Sequence, residues 1–153
     1  MKKILTISLF SLLVFSCNKE DKKQSDFTNN HSQNNNTIQK FQSFSFPEDI
    51  QGCSCAFATD KTSFEKEQYI FVDDYGNSAT IKWNDEFLKF PMEEGDFDPS
   101  HFERELKSNG YILKMKAQKL NEDPETMIFQ GEMTITTPEG NTITSPIYGE
   151  CGC

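Results

Sequence analysis

Ser108-Asn109-Gly110-Tyr111-Ile112-Leu113-Lys114-Met115-Lys116-Ala117-Gln118-Lys119 is the stretch on which the fold turns. Asn-Gly between two extended runs signals a two-residue β-hairpin, because both central residues must take positive φ. After the turn, Tyr111, Leu113, Met115 and Ala117 alternate with Lys114 and Lys116, the period of two that buries one face of a strand. Before it, Asp98-Pro99-Ser100-His101-Phe102-Glu103 could open a helix, with Pro99 in the first turn and Ser100/Glu103 as a capping box. Yet Phe102, Arg104 and Leu106 alternate with Glu103 and Glu105 straight into the turn, and the strand is the preferred reading.

The same signals repeat in both directions along the chain. Upstream, Cys53 to Thr59 and the Tyr/Ile/Phe/Val-rich run Gln68 to Asp73 read as strands. The cluster Asp73-Asp74-Tyr75-Gly76-Asn77 then turns the chain into Ser78 to Trp83, with Ala79, Ile81 and Trp83 on one face. Asn84-Asp85-Glu86 turns again into Phe87 to Phe90. Downstream, Met127 to Thr137 and Thr142 to Gly149 flank Pro138-Glu139-Gly140-Asn141 as a last hairpin, and Gly131 inside a long strand marks a bulge or a close backbone approach. Short strands at this spacing predict an all-β domain over residues 44–153, an antiparallel meander closing into a small barrel or sandwich.

Composition narrows the function classes. The 153 residues carry 24 acidic and 15 basic side chains, for a formal charge of -9. With 35% hydrophobic residues and a mean hydropathy of -0.63, a multi-span membrane protein is excluded. Residues 44–153 alone hold 21 acidic and nine basic side chains, a net -12. That surface repels nucleic acid and anionic lipid and would attract cationic partners or divalent ions, and a highly acidic face also serves simply for solubility.

The N-terminus reads as an export signal. Met1-Lys2-Lys3 precedes the apolar run Ile4 to Phe15, shorter than the roughly 20 residues a spanning helix needs. It ends Leu13-Val14-Phe15-Ser16-Cys17, which resembles the lipobox of bacterial lipoproteins. The resemblance implies that residues 1–16 are a signal peptide and that Cys17 becomes the lipidated first residue, carrying palmitate-type chains. Asn18-Lys19-Glu20-Asp21 follows, and Lys19, Glu20 and Asp21 resemble the signal that exports Bacteroidota lipoproteins to the outer face of the outer membrane. The expected localisation is lipid-anchored in the outer membrane, cell-surface exposed or else facing the periplasm. Residues 17–43 are predicted to be a disordered polar tether. Of the 26 residues from Asn18 to Ser43, six are Asn, four Gln, three Ser and two Thr, with too little apolar surface to offset chain entropy.

Four cysteines remain: Cys53 and Cys55 near the domain start, Cys151 and Cys153 at the chain's end. A bond within either CxC would be strained, since Cα atoms two apart in a strand lie about 6.5–7 Å apart against a favoured 5.5–6 Å. Pairing across the motifs avoids this. Antiparallel neighbours align 53 with 153 and 55 with 151 in a single register; parallel neighbours would pair 53 with 151 and 55 with 153. Either way the first and last strands meet, and disulfides suit an oxidising compartment. Two other readings of the same residues are a four-thiolate metal site and a redox-active CxC. No His assists the former, and no neighbouring Lys or His in sequence would lower a thiol pKa for the latter.

Cys53-Ser54-Cys55, the short strands and the terminal Gly149-Glu150-Cys151-Gly152-Cys153 together resemble an uncharacterised family of small exported Bacteroidota-like lipoproteins ending in GxCGC. The order of lipobox, tether and small β domain is also similar to that of the lipoprotein inhibitors of lysozyme. Ser145-Pro146 does not match their Ser/Gly-rich inhibitory loop, so this second likeness implies shape alone. His31 falls in the tether and His101 is the domain's one His, which argues against a Ser-His-Asp centre. Glu93, Glu94, Asp96 and Asp98 lack EF-hand spacing and read as a solvated loop. The sequence therefore predicts a membrane-anchored, non-catalytic binding or envelope-structural lipoprotein without cofactor or metal. The alternatives are a metal-binding or thiol-exchange protein and a lysozyme-inhibitor-like binder.

Overall fold

A computed structural model describes residues 39–93 and 102–153. The signal peptide, Cys17, Lys19-Glu20-Asp21, His31, Glu94, Asp96, Asp98 and His101 lie outside the described residues. The architecture is all-β and antiparallel. Among the described residues nine strands run in chain order: β1 (Phe41–Gln42), β2 (Ser54–Ala58), β3 (Phe71–Asp73), β4 (Ser78–Trp83), β5 (Glu86–Pro91), β6 (Phe102–Ser108), β7 (Tyr111–Glu122), β8 (Thr126–Thr136) and β9 (Thr142–Gly152). One short helix, α1 (Lys61–Phe64), follows β2. Its N-cap is Asp60, whose carboxylate accepts from the Ser63 N–H at 2.9 Å.

The turns form where turn chemistry places them. Asn109 and Gly110, at φ 49° and 81°, join Ser108 to its partner Tyr111. Asn84 and Asp85, at φ 49° and 68°, join Trp83 to Glu86 in the same way. At the β3–β4 turn the Asp74 carboxylate accepts from the N–H groups of Asn77 (2.8 Å) and Ser78 (2.7 Å).

The strands form one sheet in the order β1-β4-β3-β2-β9-β8-β7-β6, with β5 on β4. The two strands that carry the CxC motifs meet as expected: β2 lies antiparallel to β9, with Cys55 opposite Cys151. The sheet curls into a half-barrel. β2 and β6 are four strand spacings apart, about 19 Å in a flat sheet, yet Phe57 of β2 and Phe102 of β6 have ring centroids 5.0 Å apart. Among the described residues β5 pairs only with β4 and β6 only with β7, so the free edges come from mid-chain.

The concave side holds the core. Phe57, Phe71, Phe90 and Phe129 are fully buried with Ile81, Leu113, Met133, Ile135 and Ile147. Leu113 and Met115 point inward while Lys114 and Lys116 are exposed, the alternation read from the sequence. Gly131 proves to be a close approach: a Cβ there would run into the Lys116 carbonyl and the Ala117 backbone across the ladder. The bulge sits elsewhere in that pair, between Lys119 and Asn121, and leaves Leu120 exposed.

One boundary is corrected. Composition places Phe41 and Gln42 in the tether, but they form β1, opposite Trp83 and Lys82. The Phe41 ring packs edge-on against Trp83 at 5.2 Å, and the Gln42 side chain bonds to Asp85 through its amide N–H at 2.7 Å. Asp85 lies 43 positions away, so local composition gives no sign of it.

Candidate functional site

The four domain cysteines form two disulfides, Cys53–Cys153 and Cys55–Cys151, in the antiparallel register. Their Cα separations are 3.8 and 4.0 Å. All four sulfurs are thereby occupied and none is available as a thiolate ligand. Among the described residues no group of three or more His, Cys, Asp and Glu side chains could hold a metal ion. The two bonds differ in access. Cys55 and Cys151 are 0% exposed, whereas Cys53 is half-buried and Cys153 exposed.

Beside the inner bond lies a charge pair that the sequence alone does not assemble. Asp73 of β3 and Arg104 of β6 form a buried salt bridge, with residue exposures of 0% and 5%. One Asp73 oxygen accepts from the N–H groups of Cys55 (3.2 Å) and Tyr75 (2.9 Å). The guanidinium lies 4.6 Å from the Phe102 ring centroid, and its Nη2 stands 3.7 Å from Cys55 Sγ. Burial is the strongest influence on the Asp73 carboxyl and pushes its pKa up, against the pull of Arg104 and the two N–H donors. A cation therefore does stand beside a cysteine, contrary to the expectation from neighbours in sequence. The signal for Arg104 is present in the alternation, which sets it with Phe102 and Leu106 on the inward face. Asp73, in sequence, reads as one more turn aspartate.

The staple also marks the acidic end of the domain. The Cys153 N–H donates to the Glu125 carbonyl at 3.3 Å, and the Asp123 N–H to the Thr126 carbonyl at 2.8 Å. The β7–β8 turn, with Glu122, Asp123 and Glu125, thus abuts the end of β9. Asp74 and Glu93 join from the neighbouring strand ends, where the Met92 N–H donates to the Asn77 carbonyl. Lys119, paired to Glu122 at 2.6 Å, offsets one of these charges.

A second feature is a cleft of about 560 Å³ between residues 44–51 and the outer face of β4 and β5. Thr80 and Lys89 are cross-strand partners on that face, as are Lys82 and Phe87. Phe44 meets the Phe87 ring edge-on at 5.5 Å, and Phe87 is 59% exposed. Sequence reasoning misses this cleft because its upper wall, residues 44–51, carries no periodic signal.

No known protein family, curated protein or solved structure matches this chain. No helix among the described residues is long and apolar enough to cross a membrane.

Proposed function

We propose that this chain is a lipoprotein, anchored in the outer membrane through acylated Cys17, whose β domain is a non-catalytic binding module for a cationic protein. The observation that carries the reading is the acidic end. Glu122, Asp123 and Glu125 lie on the β7–β8 turn beside the stapled end of β9, and Asp74 and Glu93 follow the ends of β3 and β5 at the same end of the sheet. Opposite charge at a rigid surface speeds encounter and selects partners. The lipobox supplies the anchor, and Lys19-Glu20-Asp21 the route to the cell surface. A cationic lysozyme is one partner of suitable charge.

Fractionation tests the anchor. Cys17→Ala should release a folded domain from membranes, and retention of that variant under high salt would sink the reading. Replacing Lys19-Glu20-Asp21 with Ala should leave the protein anchored but shielded from protease added to whole cells. Pull-down from the envelope should recover basic proteins through the wild-type domain. A variant neutralised at Glu122, Asp123 and Glu125 should lose them.

Thiol exchange has one observation on its side, the exposure of Cys153. The surrounding carboxylates oppose it. They repel anionic thiols such as glutathione.

A further inference from the structure

We infer that the cleft over β4 and β5 is a binding site for a neutral saccharide. Its volume of about 560 Å³ lies in the range of small-ligand sites, roughly 300–1,000 Å³. The lining narrows the chemistry. Among the described residues that line it, four are apolar and eight polar, so the cleft offers apolar surface and hydrogen-bonding groups together.

The polar groups are of mixed type and mostly uncommitted. Asp74 is engaged by its own turn: burial favours its neutral form but is outweighed by the N–H groups of Ser78 and Asn77, and its pKa is lowered. By contrast, the side chains of Asp49, Gln51, Thr80 and Lys89 have no hydrogen-bond or ion-pair partner among the described residues. A carboxylate, an amide, a hydroxyl and an ammonium thus face one space, together offering donors and acceptors. The two aspartates disfavour a phosphate or carboxylate ligand, and Lys89 disfavours a cation. A ligand with many hydroxyl groups, each both donor and acceptor, satisfies this set without carrying charge.

The aromatic wall completes the match. Phe87 projects from the sheet with Lys82 Nζ over its ring at 5.8 Å from the centroid, and the Phe44 ring stands perpendicular to it. Sugar rings carry a C–H face that packs on such rings, leaving their hydroxyls to the polar lining.

The test uses the full-length chain in a detergent without a sugar headgroup. It is first screened on an array of neutral hexose and N-acetylhexosamine oligosaccharides, with uronic-acid and amine-bearing glycans as charged arms. The strongest neutral trimer is then titrated while amide chemical shifts are followed. The expected result is saturable binding with shifts at Gln51, Thr80, Phe87 and Lys89. Phe87→Ala, at an exposed position the fold tolerates, should weaken binding at least tenfold, and Lys89→Gln several-fold. The inference is overturned if no neutral oligosaccharide binds, if only the charged arms bind, or if Phe87→Ala leaves affinity unchanged. Glu122, Asp123 and Glu125 lie outside the cleft, so a variant neutralised there would lose a cationic protein partner and keep saccharide binding intact.

Discussion

Arg104 occupies a position where an apolar side chain would ordinarily stand, and the physics of its site fixes what its loss would do. Removing one partner of a buried pair strands the other, at a cost of about 3–5 kcal/mol. Arg104→Met should therefore lower unfolding stability by roughly that amount at neutral pH. Without the guanidinium, burial acts on Asp73 with less opposition and lifts its pKa further above the ordinary 3.8. A raised carboxyl pKa contributes stability that is fully present below the unfolded value and is lost as pH rises through the folded one. Urea midpoints of Arg104→Met should thus fall relative to wild type as pH increases from about 4 towards 7. The double variant Arg104→Met/Asp73→Asn should recover much of the loss and its pH dependence. An Arg104→Met profile that stays parallel to wild type would show that Asp73 is not the group left stranded. The alternation discloses that Arg104 points inward; what it pairs with comes from β3, 31 positions away, and no local pattern encodes that partner.

At the scale of single elements the sequence is most legible where turn chemistry and alternation agree. Asn109-Gly110 dictates a two-residue hairpin and Asn84-Asp85 forms another, with Glu86, read as part of that turn, already in β5 and β7 running three residues beyond Lys119. Legibility fails for β1, whose two residues are held by Trp83 and Asp85 rather than by any pattern of their own. The candidate site divides along the same line. The CxC register follows from geometry within strands, whereas the cleft arises where an irregular segment crosses β4 and β5. Gly131 gives an element-level prediction. An added methyl would collide with the Lys116 carbonyl and Ala117, so β7 and β8 would have to separate locally. Gly131→Ala should destabilise the domain by about 1–3 kcal/mol, measured by denaturant titration. The control is its neighbour Gln130, which is exposed and should accept Ala with little effect.

For the whole molecule, the two disulfides close nearly the same loop, with sequence separations of 100 and 96. In the chain-entropy model either bond alone is worth about 4.7 kcal/mol, and the second adds little because it closes only a small further ring. Cys53→Ser/Cys153→Ser should therefore cost less than about 2 kcal/mol, since the inner bond still closes the loop. Removing all four cysteines should cost far more than that, a non-additivity that a double-mutant cycle on urea midpoints measures directly. Additive costs would mean that the bonds act through local packing.

The Cys53–Cys153 bond ties residue 153 back to residue 53, and this has a topological consequence for damage. Residues 53–153 are one covalent circle, and a circle must be cut twice before a piece can leave. A single protease cut in an exposed turn such as Pro138-Glu139-Gly140 would leave every residue attached. The nicked protein should run as one band without reductant and as two with it. A cut upstream of Cys53 behaves differently, because there the chain is a single thread and one cleavage sheds the whole circle at once.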